Sequence, residues 1–172
     1  MCIALNKLVK EAKLLGVIFK DNLRFDLHVN SILKQCSQRS FLMKQFRCQG
    51  LSNKQLNTVF DAIIISRLCY ALPAWGGFLS KELEGRIDAF LRRMFSFGYC
   101  SKLHSVRQLI ANSDEVLFHK SSQPSHCLNQ LLPPFKDSSM PLRSRGHNFV
   151  LPSCHFEHYK KSFINRCLFN YV

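Results

Sequence analysis

Apolar residues in the first part of the chain recur first at strand spacing and then at helix spacing. Residues 14–19 form an apolar run of strand length, Asp21-Asn22 is turn chemistry, and Leu23-Arg24-Phe25 alternates, so a β-hairpin is predicted just before the first helix. Asp26 is placed to cap that helix, whose positions Val29, Ile32, Leu33, Cys36, Met43 and Phe46 fall on one face. Gly50 ends it. Ser52 followed by Gln55 forms a capping box for a second helix striped by Leu56, Val59, Phe60, Ile63 and Ile64. This helix is expected to stop before Pro73, because a residue preceding proline is pushed out of the helical region.

After a Pro-Ala-Trp-Gly-Gly turn, Ser80 opens a third helix with core positions Leu83, Ile87, Phe90, Leu91 and Met94, and Gly98 is its expected terminator. Glu82 and Glu84 near its start and Arg92-Arg93 near its end follow the charge order that the helix dipole favours. Ser105 with Gln108 repeats the capping-box pattern for a fourth helix through Val106, Leu109 and Ile110, and Asp114 is placed to cap a short fifth through Val116, Leu117 and His119. From Gln123 onward Pro124, Pro133-Pro134, Pro141 and Pro152 interrupt any period, and only residues 163–172 regain enough apolar character for a last short helix. The fold class expected is mainly α: a small helical bundle preceded by a short β-hairpin and followed by an irregular, proline-containing tail. Residues 1–25 form the lead and hairpin, 26–120 the helical domain, and 121–172 the tail.

Composition narrows the function. The chain has 172 residues and 47% apolar content, room for one ordinary domain with its core, or for a small domain plus a long tail, but not for a whole polymerase. Its formal charge of +13, from 24 Lys and Arg against 11 Asp and Glu, attracts polyanions, with nucleic acid the first partner to expect. Lys7, Lys10, Glu11 and Lys13 interrupt the opening apolar stretch, which excludes the apolar core of a secretory signal there. The apolar, charge-free run at residues 68–80 is too short to span a bilayer and contains Pro73 and Gly76-Gly77. A soluble, intracellular chain without a membrane partner is therefore expected, with nucleus or cytoplasm left open. The 8 cysteines are widely spaced without a Cys-x-x-Cys pair, so free buried thiols are expected rather than a disulfide framework.

Cationic positions on helices with apolar stripes are the candidate phosphate contacts: Lys34, Arg39, Lys44, Arg47, Arg92 and Arg93. Trp75 and Tyr70 are expected in the core. Cys154, His155, His158 and His147 have the chemistry of zinc ligands, but the segment lacks paired cysteines and solvated histidines are the expectation, with no metal and no cofactor. His126-Cys127 is adjacent in sequence only, which does not create a base-to-thiol geometry.

A set of ordered blocks resembles one known family. KLLGVIFKDNLRFDLH at residues 13–28 resembles the segment that follows the catalytic palm in reverse transcriptases of non-LTR, LINE-like retrotransposons. Leu51-Ser52 leading to Asn57-Thr58-Val59-Phe60, then Ile64-Ile65-Ser66-Arg67-Leu68-Cys69-Tyr70-Ala71 and Pro73-Ala74-Trp75-Gly76, resemble the thumb helix and the turn after it, and Ile87 to Met94 the next helix, ending in basic residues. Leu131-Leu132-Pro133-Pro134, Leu142-Arg143-Ser144-Arg145-Gly146-His147 and Ser162-Phe163-Ile164-Asn165-Arg166 resemble the closing stretch. The resemblance implies a post-palm thumb and tail that binds RNA or an RNA/DNA duplex by its phosphates and starts after its own active site, with the missing palm and fingers as partners. The paired metal-binding carboxylates of the palm have no counterpart here; Asp21, Asp26, Asp61 and Asp88 read as turn, cap and helix-surface residues, so polymerisation by this chain is not expected. Residues 13–50 also resemble the N-terminal segment of the AlkB homologue that modifies wobble uridines in transfer RNA. The His-x-Asp iron motif and the Gly-rich methyl-donor loop of that dioxygenase and methyltransferase are not in this sequence. A relic of a decayed element is a third reading.

Overall fold

The computed structural model describes residues 10–136 and 147–171. The lead with Cys2 and Lys7, the segment 137–146 with Pro141, and Val172 lie outside the described residues. The fold is mainly α, a small helical bundle preceded by a two-stranded antiparallel hairpin. Strands β1 (Glu11–Leu14) and β2 (Val17–Lys20) lead into α1 (Asp26–Cys48) and α2 (Asn53–Phe60). A π-helical turn (Asp61–Ile65) joins α2 to α3 (Ser66–Cys69), followed by α4 (Leu72–Trp75), a 3-10 turn (Gly76–Phe78), α5 (Lys81–Ser96) and α6 (Val106–Ser121). After a 3-10 turn at Asn129–Leu131, α7 (Glu157–Lys161) and α8 (Phe163–Asn170) close the chain. The chain divides into two compact units: one runs up to Leu68 and includes Leu79–Leu103, the other joins Cys69–Phe78 to the residues from His104 onward.

In the first unit the hairpin is present but its turn lies earlier than the sequence pattern suggested. The loop is Leu15-Gly16, with φ of 47° and 86°, and Leu14 pairs with Val17 across it. A two-residue loop with both φ values positive follows the natural strand twist, and Gly16 takes one of them without a Cβ penalty. The apolar run 14–19 is thus folded back on itself, while Asn22 accepts the Arg24 N–H and turns the chain into α1. Asp26 does not cap α1: the cap position is Phe25, and the Asp26 carboxylate instead takes the Lys20 ammonium of β2 at 2.7 Å. Phe19 meets the buried Phe25 edge to face at 5.5 Å, so the hairpin is held to the first turn of α1.

Local rules place the remaining helix ends of this unit. Ser52 and Gln55 make the predicted capping box, and the Ser80 hydroxyl accepts the Leu83 N–H. Both α1 and α5 end in a left-handed glycine, Gly50 and Gly98, with Leu51 N–H returning to Phe46 and Tyr99 N–H returning to Met94. The core of the unit comes from the stripes of α1, α2 and α5, including Val29, Ile32, Cys36, Met43, Leu56, Phe60, Ile87 and Phe90; Leu33 and Phe46 are only half-buried. At the π turn, where the wider spacing loosens the carbonyls, Ile63 O accepts from Arg39 and Ala62 O from Ser66.

The second unit is where the sequence pattern was least direct. The helical run breaks at Ala71 (φ 51°), and Leu72 is the first residue of α4 rather than excluded from helix, with Pro73 in the first turn, where its missing N–H costs nothing. Trp75 is buried and its Nε1 donates to Tyr70 O, whereas the Tyr70 side chain is exposed rather than core. Instead of two helices, residues 106–121 form the single helix α6; Ser105 stands at its N-cap but makes no side-chain capping hydrogen bond, so the capping box is not formed, and Asp114 is not a cap but a carboxylate buried within the helix. Arg166 of α8 meets Asp114 with Nε and Nη2, both at 2.8 Å. The tail builds a core of its own on α6 from Phe118, Phe149, Cys167 and Leu168, with an isolated bridge between Phe135 and Phe149.

Asn53–Phe78 is the one helical run among the described residues long and apolar enough by length and composition to cross a bilayer, with a mean hydropathy of 1.3. Its apolar side is taken up within the protein, since Leu56, Phe60, Ile64, Leu68, Leu72 and Trp75 are buried. The run also carries Asp61, Arg67 and Pro73.

Two stability predictions follow from buried polar groups. His28 is 2% exposed, its Nδ1 accepts Ile18 N–H at 3.4 Å, and burial, helped by the Arg67 charge, pushes its imidazole down to about 4. Because the unfolded chain takes up this proton near its ordinary value of 6.5, stability is full above that pH and is lost as pH falls towards about 4. The expected loss is about 2 kcal/mol between roughly pH 7 and pH 5, read as a drop in melting temperature that His28→Gln reduces; an unchanged pH dependence in that variant would refute the assignment. In the second unit, Arg166→Met strands the Asp114 carboxylate and should cost about 3 kcal/mol or more, with much of it recovered by Asp114→Leu in the same chain. Urea melts of the single and double variants measure this.

Candidate nucleic-acid interface

The predicted phosphate-binding cations all lie on α1 and α5 of the first unit, and the structure sorts them into two groups. Arg39 is half-buried and is spent on the Ile63 carbonyl of the π turn. Arg47 is also a packing residue: its guanidinium lies 4.3 Å from the centre of the Tyr99 ring and it donates to Phe97 O, tying the end of α1 to the end of α5. Lys34, Lys44 and Arg92 are exposed, as is Arg93, which lies over the Phe90 ring at 5.6 Å. These four leave their charge at the surface.

Helices α1 and α5 run side by side in the same direction, since Asn30 near the start of α1 accepts from Arg86 of α5 at 2.6 Å while Arg47 reaches Phe97 at the far end. Between them is a groove of about 250 Å³ lined by Leu33 and Ser37 from α1 and by Arg86, Ala89, Phe90 and Arg93 from α5. Its floor is apolar and its rim carries two guanidinium groups and a hydroxyl. An arginine presents a planar fork of donors that suits a phosphate better than a lysine's single point does.

This geometry separates the Arg92-Arg93 pair. Neighbouring helical residues point about 100° apart, so Arg93 lines the groove and Arg92 faces away from it. Arg86 was not among the sequence candidates, although a signal for it existed: it stands two turns before Arg93, about 10 Å along the axis, and so on the same face. On α1, Asn30, Ser37 and Lys44 repeat at the same interval.

Other chemistries find less support in the side chains. Among the described residues no three His, Cys, Asp or Glu groups come together in a way that could hold a metal ion. His147 Nε2 lies 2.7 Å from Leu168 O, and His155 Nε2 lies 3.2 Å from Ser153 Oγ. Cys36, Cys100 and Cys167 are buried free thiols, and burial pushes Cys36 up to about 11 and Cys167 up to about 12, which keeps both protonated and poorly nucleophilic at neutral pH. Cys48 and Cys127 are exposed, and His126 Nδ1 accepts the Leu128 N–H instead of serving its neighbouring thiol. What remains is a basic, two-helix surface with a groove of about 250 Å³. No protein-family model, no curated protein and no solved structure matches the chain.

Proposed function

We propose that this chain is a nucleic-acid-binding module that grips RNA or an RNA/DNA duplex by its phosphates, as the thumb and C-terminal region of a non-LTR retrotransposon reverse transcriptase does behind its catalytic palm. The observation that carries this reading is the set of exposed cations, Lys34, Lys44, Arg92 and Arg93, on two packed helices of a chain with net charge +13. Each cation that neutralises a phosphate releases counterions, so affinity is set by charge count and salt and hardly by sequence. The module holds and positions; it supplies no nucleotidyl-transfer chemistry in this reading. Three of its carboxylates are engaged structurally, Asp26 with Lys20, Asp61 with Asn57 and Asp114 with Arg166.

A duplex titration over a range of salt tests it. Log affinity should fall linearly with log salt, and replacing Lys34, Lys44 and Arg92 together by Gln should flatten that slope by about 0.9 for each phosphate that is no longer neutralised. Arg39→Gln should instead lower the melting temperature and leave the slope in place, because Arg39 is committed to the π turn. Salt-independent affinity in the unaltered chain would remove the proposal.

A further inference from the structure

The groove between α1 and α5 has a continuation that the phosphate reading does not use. One turn beyond Ser37 on α1 stands Phe41, and one turn beyond Arg93 stands Phe97, the C-cap residue of α5, whose backbone is still helical (φ −75°), so that periodicity puts each on the groove side just past the lining residues. Both are large apolar rings left in solvent, 60% and 49% exposed. Phe97 is held in place by its own surroundings: its ring meets Tyr99 edge to face at 5.8 Å, and its carbonyl accepts from Arg47. Along this one line the surface presents guanidinium groups first and exposed aromatic faces next, with Lys44 beside them.

We propose that this line is a track for an unpaired nucleic-acid strand, whose phosphates meet Arg86 and Arg93 while its bases stack on Phe41 and Phe97. The inference rests on the nucleic-acid reading above and specifies the form of the ligand. A cavity of about 250 Å³ is below the size range of pockets for drug-sized ligands, and fits a single nucleotide unit better than the body of a duplex. An exposed phenylalanine has nothing to stack on in a duplex interior, whose base faces are already covered, but it gains a partner from each unpaired base. The charge of the rim selects a polyanion over an apolar peptide. Lys34 and Arg92 face elsewhere on the same helices and remain available to duplex phosphates.

Fluorescence anisotropy with two labelled probes tests the track: an unstructured oligouridylate of about 12 nucleotides and a blunt RNA/DNA duplex of the same length. Phe41→Ala with Phe97→Ala should weaken the oligouridylate about tenfold or more, change duplex affinity less than about twofold, and leave both salt slopes alone. Phe41→Trp with Phe97→Trp should restore or exceed the original affinity, which also shows that the surface has not been unfolded. Arg86→Gln with Arg93→Gln should flatten the single-strand slope by about 1.4, at about 0.7 for each phosphate. Equal losses on both probes, or no loss on either, would overturn the track while the duplex titration still stands. If neither probe binds the unaltered chain in a salt-dependent way, the broader reading falls with it.

Discussion

Arg166 gathers segments of the second unit that lie far apart in the chain. From α8 its guanidinium makes a two-point contact with Asp114 of α6, donates to Pro73 O of α4 at 3.0 Å and donates to Lys161 O at the end of α7 at 2.6 Å. Taking such an ion pair out of water is offset only when the remaining donors and lone pairs also find partners, and here backbone carbonyls supply them. The pair therefore selects one arrangement of four segments more than it adds net stability. It also explains Gly77: a Cβ there would collide with the Arg166 guanidinium and the Lys161 carbonyl. Only hydrogen fits there.

What the sequence made legible in the fold is what local chemistry decides. Ser52, Ser80, Gly50 and Gly98 act through their immediate neighbours, and each sits where its residue type led one to expect. Asp26 and Asp114 have the same local look as caps, yet both are claimed by partners outside their own helix, Lys20 and Arg166. A carboxylate near a helix start satisfies two different physical demands, and only tertiary structure tells them apart. The hairpin register failed for a related reason: Leu15-Gly16 turns in the middle of an apolar run, and its apolarity concealed the turn. Hydrophobicity decides burial; φ decides direction.

The candidate site was legible as a face but not as a set of residues. Charge and helical spacing brought α1 and α5 forward, but nothing local distinguishes Arg39, held by a carbonyl, from Lys34, left in solvent. Arginine serves both ends, because its long apolar stem packs while its fork reaches a distant acceptor. Arg86 escaped notice because it stands apart from other cations, whereas Arg92-Arg93 stood out by adjacency, a property that counts against a shared helical face. Spacing by two turns is the more informative pattern when the ligand runs along a helix.

The chain builds its two units in alternation, since Cys69–Phe78 belongs with the residues from His104 onward and is followed by the last helix of the first unit. During synthesis this has a cost in waiting time. Leu72 and Trp75 leave the ribosome before α5, and they stay without the α6 surface that covers them until the chain has returned to complete the first unit. The local bond from the indole to Tyr70 O needs no later segment and can form in the meantime. A nascent chain stalled after Leu103 would hold a finished first unit and an apolar stub, the kind of surface that chaperones recognise. Cellular quality control would thus read the integrity of the second unit from a segment encoded in the middle of the first.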